Sequence, residues 1–80
     1  MDRKEIEEKV KEILSEELGI KKEAITPEKR LIEDLGMDSF KAIEVVFALR
    51  EKFEIDIPQE KMVKIHTAED IIKYIWKNKK

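Results

Sequence analysis

The sequence predicts an all-α protein, a four-helix bundle of three longer helices and one short helix, with a long loop between helices 1 and 2. Apolar residues recur at helical spacing in each longer stretch, and the stretches begin and end at residues typical of helix termini. The 80 residues contain no repeat, no low-complexity segment and no internal linker, so we expect one domain over residues 1–80. Helices that are apolar on one face bury it against one another, which favours a bundle.

The first helix is predicted over residues 3–17. Gly19 follows it and would end it in the left-handed conformation that glycine adopts readily. From Gly19 to Asp38 the chain forms a long connection, in which Thr26-Pro27 is expected to start a single helical turn. The residues that indicate the helix are Ile6, Val10, Ile13, Leu14 and Leu18, and those expected to anchor the loop are Ile25, Leu31, Ile32 and Leu35.

The second helix, residues 39–53, has more apolar residues than one narrow stripe can hold. A helix that is apolar over most of its circumference is central to the fold or has a second surface in contact, so we expect it to be the central helix. Lys41, Glu44 and Glu51 would mark its solvent side. Its apolar residues are Phe40, Ala42, Ile43, Val45, Val46, Phe47, Ala48, Leu49 and Phe53.

Two further helix starts follow along the chain. Asp56 precedes Gln59 by three residues, with a proline between them, which predicts a short third helix to about Lys64. Thr67 and the residues after it form an analogous start for the last helix, which would end near Lys77. Its apolar residues are Ile71, Ile72, Ile75 and Trp76, and the basic residues expected to complement its dipole are Lys73, Lys77, Lys79 and Lys80.

Composition excludes several classes of protein. The chain has no cysteine, which rules out disulfides, thiolate metal sites and a cysteine nucleophile. The amino terminus is too charged for a signal peptide, and no apolar run approaches the roughly 20 residues of a membrane span. We therefore expect a cytoplasmic protein that does not use a membrane. Residues 31–60 hold eight acids and three bases, which argues against nucleic-acid binding there and favours a partner with a basic patch.

The residues around Ser39 do not support catalysis. A serine hydrolase would need a GxSxG elbow, whereas the segment here is MDSFK. The single histidine, His66, precedes a helix start, where a turn or capping role is expected, and without cysteines it makes a poor transition-metal site. The chain has no calcium-loop pattern and no glycine-rich phosphate cradle. We expect neither an enzyme nor a metal site.

Ser39 is nevertheless the candidate functional residue. It lies where a glycine turn gives way to an apolar helix, and backbone N–H groups at a helix start favour an anion such as a phosphate ester. Asp38 or Ser39 could equally be a plain helix cap. A capping box is absent, because the residues three positions later are Lys41 and Ala42 rather than Glu or Gln.

The context of Ser39 resembles the central segment of acyl carrier proteins, whose pattern is an acidic residue, Leu-Gly, a variable residue, and Asp-Ser-Leu at the start of the second helix. Residues 31–58, LIEDLGMDSFKAIEVVFALREKFEIDIP, carry this pattern, and the resemblance extends from Gly19-Ile20 to Tyr74-Ile75. It implies a non-catalytic carrier of the bacterial type II fatty-acid-synthase kind. Ser39 would receive 4'-phosphopantetheine from coenzyme A, and the thiol of that cofactor would carry acyl groups as thioesters.

The resemblance also implies partners and two further sets of residues. The partners would be a phosphopantetheinyl transferase and acyl-transferring, condensing and reducing enzymes with basic docking patches, and we expect the carrier to be a monomer. The residues that match the partner-recognition surface are Asp34, Asp38, Lys41, Glu44, Phe47, Glu51, Glu54 and Asp56. Those that match an expandable acyl-chain cavity are Val46, Leu49, Ile57, Met62, Ile65 and Tyr74, for which ordinary core packing is the other interpretation.

The sequence departs from the common pattern of the family in the second helix. Phe40 replaces the usual leucine, and Lys41, Arg50 and Lys52 place positive charge where carriers of primary fatty-acid synthesis are often acidic. We therefore expect a carrier dedicated to a particular pathway, or a secondary copy. Two alternatives stay open. One is a carrier of aminoacyl or polyketide intermediates, and the other is a helical interaction module whose Ser39 is a helix cap or a phosphorylation site.

Overall fold

The computed structural model describes residues 2–78 and confirms the predicted all-α bundle of three longer helices and one short one. The helices are α1 (Arg3–Leu18), α2 (Ser39–Phe53), α3 (Gln59–Met62) and α4 (Ala68–Asn78). A short 3-10 turn, Lys22–Ala24, lies in the long loop, and the described range contains no strand beyond one isolated bridge between Arg30 and Thr67. The basic residues Lys79 and Lys80 lie outside the described residues.

Both ends of α1 are fixed by local hydrogen bonds. The Asp2 carboxylate accepts the N–H of Glu5 at 2.9 Å, and the Glu5 carboxylate accepts the N–H of Asp2 at 3.4 Å, which together make a capping box. At the other end, Gly19 takes the left-handed conformation with φ 68° and donates its N–H to Ser15 O at 3.0 Å. The predicted glycine end of this helix is confirmed.

The central helix of the bundle is α1, and the expectation that α2 would be central is wrong. It is α1 that packs against both α2 and α4. The many apolar residues of α2 divide between an inner face, with Val45, Leu49 and Phe53 buried, and an outer face that is exposed. The other residues of the core come from α1 (Ile6, Val10, Ile13, Leu14), α4 (Ala68, Ile71, Ile72, Ile75) and the connecting segments (Ile25, Leu31, Leu35, Ile57).

The long loop is fastened to the start of α4 by its backbone. Leu31 donates its N–H to His66 O at 2.9 Å, and Glu69 donates its N–H to Pro27 O at 2.8 Å. The predicted turn after Thr26 forms as a single hydrogen-bonded turn. Three of the four predicted apolar anchors are buried, but Ile32 is 64% exposed, because the turn over residues 31–35 points it away from the core.

The two later helices begin differently from each other. At α4 the predicted start is confirmed: the Asp70 carboxylate accepts the N–H of Thr67 at 3.1 Å, and the Thr67 hydroxyl accepts the N–H of Asp70 at 3.2 Å. In contrast, α3 ends at Met62 rather than near Lys64, and no side chain caps its start after Pro58. A helix of four residues without a cap has little stability of its own and depends on its packing.

Candidate functional site

A glycine turn positions the start of α2. Leu35 is buried and anchors the end of the loop, and Gly36 follows with φ 75°, a conformation that residues with a side chain rarely adopt. The N–H of Met37 then bonds to Leu31 O at 2.9 Å, which turns the chain back toward the core. Asp38 and Ser39 therefore leave the turn on its solvent side, and both are exposed.

Asp38, not Ser39, caps α2. The Asp38 carboxylate accepts the N–H of Lys41 at 2.8 Å, while its backbone is extended with φ −111° and ψ −176°. Ser39 is already the first helical residue, and its hydroxyl makes no hydrogen bond within residues 2–78. The interpretation of Ser39 as a helix cap is therefore wrong, because the preceding carboxylate already occupies that role.

The environment of the Ser39 hydroxyl fits a phosphate ester. The hydroxyl is open to solvent, and the dipole of the 15-residue helix α2 favours negative charge at this end. Asp38 is an opposing influence, since its carboxylate lies beside Ser39 and uses one of the free N–H groups of the first turn. Esterification of Ser39 would therefore leave Asp38 as the cap, because the Asp38 carboxylate holds the Lys41 N–H without help from the Ser39 hydroxyl.

Three of the acids expected on the recognition surface are paired with cations of the same chain. Asp34 accepts hydrogen bonds from the Arg30 backbone N–H at 2.8 Å and from the Arg30 guanidinium at 3.1 and 3.3 Å. Hydrogen bonding from the Arg30 side chain, followed by that from its backbone, lowers the pKa of Asp34. Glu44 pairs with Lys41 at 3.2 Å.

The third pair joins Arg50 to Asp56 at 3.6 Å. In the pair with Lys41, the Glu44 oxygen Oε1 is shielded from solvent and no hydrogen bond of normal geometry reaches it. The Lys41 ammonium nevertheless lies 3.2 Å away, and Coulomb attraction at that distance needs no particular angle. For Glu51 and Glu54 the structure of residues 2–78 shows no ion pair, and both are exposed.

An apolar cavity of about 60 Å³ lies beneath α2. Five of the six residues expected around an acyl chain line it: Val46, Leu49, Ile57, Met62 and Ile65. The remaining wall residues were not predicted from the sequence and are Leu31, Met37, Ala42, Val45 and Ile71. All are apolar, and two of the ten wall residues are methionines, whose unbranched side chains adapt to irregular spaces.

Tyr74 is not in the wall of this cavity, contrary to expectation. It lies instead along a separate groove between α3 and α4, with Ile65 and four lysines among its neighbours. Its hydroxyl donates a hydrogen bond to Asp56 O at 2.9 Å. The hydrogen bond holds the phenol oxygen at the surface while the partly buried ring packs against the core, an arrangement that helical spacing alone does not reveal.

Sequence reasoning missed part of the exposed surface of α2. Phe40, Ile43 and Phe47 are 63%, 56% and 57% exposed, so they form an apolar stripe on the outside of the helix. Only Phe47 was predicted as a contact residue. The signal was present, because the spacing i, i+3, i+7 places these residues on one face, away from the buried Val45 and Leu49.

Other candidate chemistry finds no support in the described part of the chain. Within residues 2–78, no group of three or more His, Asp or Glu side chains is placed to hold a metal ion. His66 serves the turn before α4, since its N–H bonds to Asp70 at 2.9 Å and its carbonyl accepts Leu31. None of the helices in this range has the length and apolar character needed to cross a membrane.

Comparison with known protein families shows which family the chain belongs to. A family model described as "Phosphopantetheine attachment site" matches residues 8–75, which includes α2, the whole loop before it and most of α4. Members of this family are non-catalytic carriers, and 4'-phosphopantetheine is attached to them covalently. They interact with phosphopantetheinyl transferases and with synthase enzymes. The helical fold, the exposed helix start at Ser39 and this match agree, and the chain belongs to the family of phosphopantetheine-carrying proteins.

Proposed function

We propose that Ser39 is the attachment residue and that the chain carries acyl groups as thioesters for fatty-acid or related lipid biosynthesis. The observation that supports Ser39 as the attachment residue is that two adjacent residues at the start of α2 have separate roles. Asp38 caps the helix, and the neighbouring hydroxyl of Ser39 is exposed and without a hydrogen-bond partner in residues 2–78. A hydroxyl that is not needed for the fold is available for esterification.

The chain supplies position and shelter rather than bond chemistry. When bound, the cofactor supplies a thiol, which this cysteine-free chain lacks. Asp38 fixes the first turn of α2 and so fixes where the Ser39 oxygen lies. Gly36 and the buried Leu35 hold the preceding turn, so an enzyme that approaches Ser39 meets a defined backbone.

The apolar cavity beneath α2 favours a hydrocarbon cargo over an aminoacyl one. Burial of each CH₂ group contributes about 0.8 kcal/mol, whereas burial of an ammonium group among apolar side chains alone is strongly unfavourable. The cavity of about 60 Å³ is well below the roughly 150 Å³ that accommodates benzene in an engineered protein core. An acyl chain must therefore spread the walls, and α3, with four residues and no side-chain cap, is the element that would yield.

The residues of α2 that differ from the common acyl-carrier pattern support a carrier that is dedicated to one pathway or is a secondary copy. Phe40 is exposed beside Ser39, Lys41 pairs with Glu44, and Arg50 pairs with Asp56. Enzymes adapted to an acidic, leucine-bearing helix would meet an aromatic and partly neutralised one. If purified enzymes of housekeeping fatty-acid synthesis used this carrier as readily as their ordinary one, a dedicated role would be wrong.

Intact mass spectrometry tests the attachment. The purified chain is incubated with coenzyme A and a phosphopantetheinyl transferase of broad specificity. We expect a gain of one phosphopantetheine in the wild type and none in Ser39→Ala, with Ser15→Ala as a control that is still modified. Failure of every transferase to modify the wild type would contradict the carrier function, and modification of Ser39→Ala would contradict the assigned residue.

The cargo is tested by thermal stability after loading. Phosphopantetheinylated protein is loaded either with a medium-length acyl chain or with an amino acid. We expect the acyl chain to raise Tm and the amino acid to leave it nearly unchanged, because only the acyl chain can enter the cavity. Equal effects of the two loads would remove the support for a lipid cargo and leave the carrier class intact.

A further inference from the structure

The groove between α3 and α4, beside Tyr74, has lysines on both of its sides. Four lysines line it, and all four are exposed: Lys61, Lys64, Lys73 and Lys77. Lys61 belongs to α3, and Lys64 follows that helix by two residues. Lys73 and Lys77 are one turn apart on α4, which is about 6 Å along the helix axis. The volume of this lysine groove is about 420 Å³, several times that of the cavity beneath α2.

The lysines of the groove are not neutralised by acids of the same chain. None of the ion pairs within residues 2–78 includes one of them. Among the described residues, the one acid in the wall is Asp70, whose oxygen Oδ2 already accepts the N–H groups of His66 and Thr67. Four lysines and one aspartate leave the groove with a formal charge of +3, although the whole chain has −2.

The floor of the lysine groove is apolar. Ile65 and the ring of Tyr74 line it, and both are partly buried and packed against the core, whereas the lysines are exposed. The Tyr74 hydroxyl donates to Asp56 O at 2.9 Å, which holds the ring in place. A ligand that fills the groove would therefore meet a fixed apolar surface at the base and ammonium groups at the rim, an arrangement found at protein interfaces.

This combination of charge and apolar surface distinguishes among anionic ligands. An inorganic phosphate or pyrophosphate has no apolar part to cover Ile65 and Tyr74. An anionic bilayer or a nucleic acid is an extended charged surface, which repels a chain whose residues 31–60 hold eight acids and three bases. A protein segment can place acidic side chains at the rim and one apolar side chain at the floor, within the width of the groove.

We propose that the lysine groove is a docking site for an acidic protein segment in which acidic side chains flank one apolar residue. The acids of the segment contact lysines of α3 and α4 together, and its apolar side chain covers Tyr74 and Ile65. This proposal goes beyond the carrier function and does not rest on it, because no residue of α2 lines the groove. The contacts of such a partner therefore do not compete with those made at Ser39.

Fluorescence anisotropy measures the binding of a short labelled peptide that has glutamates on both sides of one central leucine. The wild type is compared with Lys64→Gln plus Lys73→Gln, which removes one lysine from each side of the groove. The matched control is Lys4→Gln plus Lys21→Gln, which changes the net charge equally. Lys4 and Lys21 are exposed, do not line the groove and form no ion pair within residues 2–78. The salt concentration is varied from about 0.01 to 1 M NaCl, which shortens the Debye length from about 30 to 3 Å.

At low salt we expect the groove variant to bind the peptide about threefold to tenfold more weakly than the wild type, and the control variant less than about twofold more weakly. The difference should shrink at high salt, because the contacts are between exposed charges. A peptide with serine in place of the leucine should bind more weakly at every salt concentration, since it cannot cover the apolar floor. Equal losses in the groove and control variants would show that only net charge matters and would overturn the proposal.

Two further measurements locate the binding. Changes in amide chemical shifts on addition of the peptide should centre on residues 61–65 and 70–78, and changes centred on α1 or α2 would contradict the proposal. Lys64→Arg plus Lys73→Arg keeps both charges and should bind the peptide nearly as well as the wild type. Circular dichroism of each variant checks the fold, which should be intact because the replaced lysines are exposed.

Other occupants of the groove give different results. Sedimentation with vesicles of phosphatidylcholine and phosphatidylserine tests a bilayer, titration with pyrophosphate tests a simple anion, and light scattering of the protein alone tests a second copy. We expect each of these to be weaker than peptide binding. Tighter binding to any of them that is lost in the groove variant would assign the groove to that occupant and overturn the proposal. Repeating the measurements with Ser39→Ala, which lacks the proposed attachment hydroxyl, keeps their outcome separate from that of the carrier function.

Discussion

The hydroxyl of Tyr74 donates a hydrogen bond of 2.9 Å to the backbone carbonyl of Asp56. This bond joins α4 to the segment between α2 and α3, 18 residues earlier in the chain. The carboxylate of the same Asp56 lies 3.6 Å from Arg50 on α2. Asp56 therefore links the segment before α3 to both α2 and α4. If α3 moves away from the cavity, the chain before it is held in place at Asp56.

Replacement of Tyr74 by phenylalanine removes that hydrogen bond and keeps the ring. A single neutral hydrogen bond contributes about 0.5–1.5 kcal/mol, and since this one is partly exposed we expect a loss near the lower value. Urea denaturation followed by circular dichroism measures it. An unchanged midpoint in urea would show that the bond contributes nothing to the folded state.

The stability of the protein should also fall at alkaline pH because of Tyr74. Burial raises the pKa of its hydroxyl, and the carboxylates of Asp56 and Glu60 raise it further. The folded pKa therefore lies above the unfolded value of about 10, so the contribution is fully present below pH 10 and is lost as the pH rises through the folded pKa. The chain has one tyrosine, so ultraviolet absorbance follows it alone. Equal titration midpoints in the presence and absence of urea would contradict this expectation.

Asp70 should make stability depend on acid pH. Burial alone would raise the pKa of this carboxyl, but hydrogen bonds from the backbone of His66 and Thr67 outweigh it, so the pKa is lowered. A lowered folded pKa gives a contribution that is present above the unfolded value of about 3.9 and is lost as the pH falls through the folded pKa.

Two substitutions distinguish the contribution of the Asp70 charge to stability from that of its hydrogen-bond acceptor. Asp70→Ala removes the carboxylate that accepts the N–H groups of His66 and Thr67 and should cost about 1 kcal/mol at neutral pH. Asp70→Asn keeps an acceptor oxygen without the charge, so its difference from the wild type should be present at pH 7 and disappear in strong acid. Urea midpoints measured across the acid range test this. A constant difference between wild type and Asp70→Asn at all pH values would rule out the titration of Asp70 as the cause.

The hydrogen bonds at the start of α2 predict that replacing two adjacent residues has different effects on stability. Asp38→Ala removes the side chain that accepts the Lys41 N–H, and it should cost about 1 kcal/mol of stability. Ser39→Ala removes an exposed hydroxyl without a hydrogen bond in the described range, and it should change stability by less than about 0.5 kcal/mol. Thermal unfolding of both apo variants measures the difference. A larger loss in Ser39→Ala would return the capping role to Ser39.

The acyl-chain cavity is tested with two leucines of equal burial. Leu49 is 2% exposed and lines the cavity, whereas Leu14 is fully buried on α1 and does not line it. Each Leu→Ala change should cost about 2–5 kcal/mol in the apo protein. Loading with a medium-length acyl chain should restore more stability to Leu49→Ala than to Leu14→Ala. The hydrocarbon can fill the space that Leu49 leaves in the cavity wall, but it does not reach the space that Leu14 leaves. Equal restoration in the two variants would argue against this cavity as the acyl site.

Features that depend on residues a few positions apart were predictable from the sequence. The start of α2, the glycine end of α1 and the start of α4 at Thr67 all follow from hydrogen bonds within one helical turn. The missing side-chain cap of α3 shows the limit of such patterns. Asp56 has the right spacing to Gln59 for a cap, but its carboxylate faces Arg50 and its carbonyl accepts Tyr74.

The sequence by itself determined the helical class, the position of Ser39 at a helix start and the excess of apolar residues on α2, because these properties are local. Only the tertiary structure decided that α1 is central, that Leu31 is buried while Ile32 is exposed, and that Tyr74 lies outside the cavity. The physical reason is that spacing shows which residues share a face, whereas burial depends on which elements the packing brings against that face. The apolar excess on α2 is divided in this way between a buried wall and an exposed stripe beside Ser39.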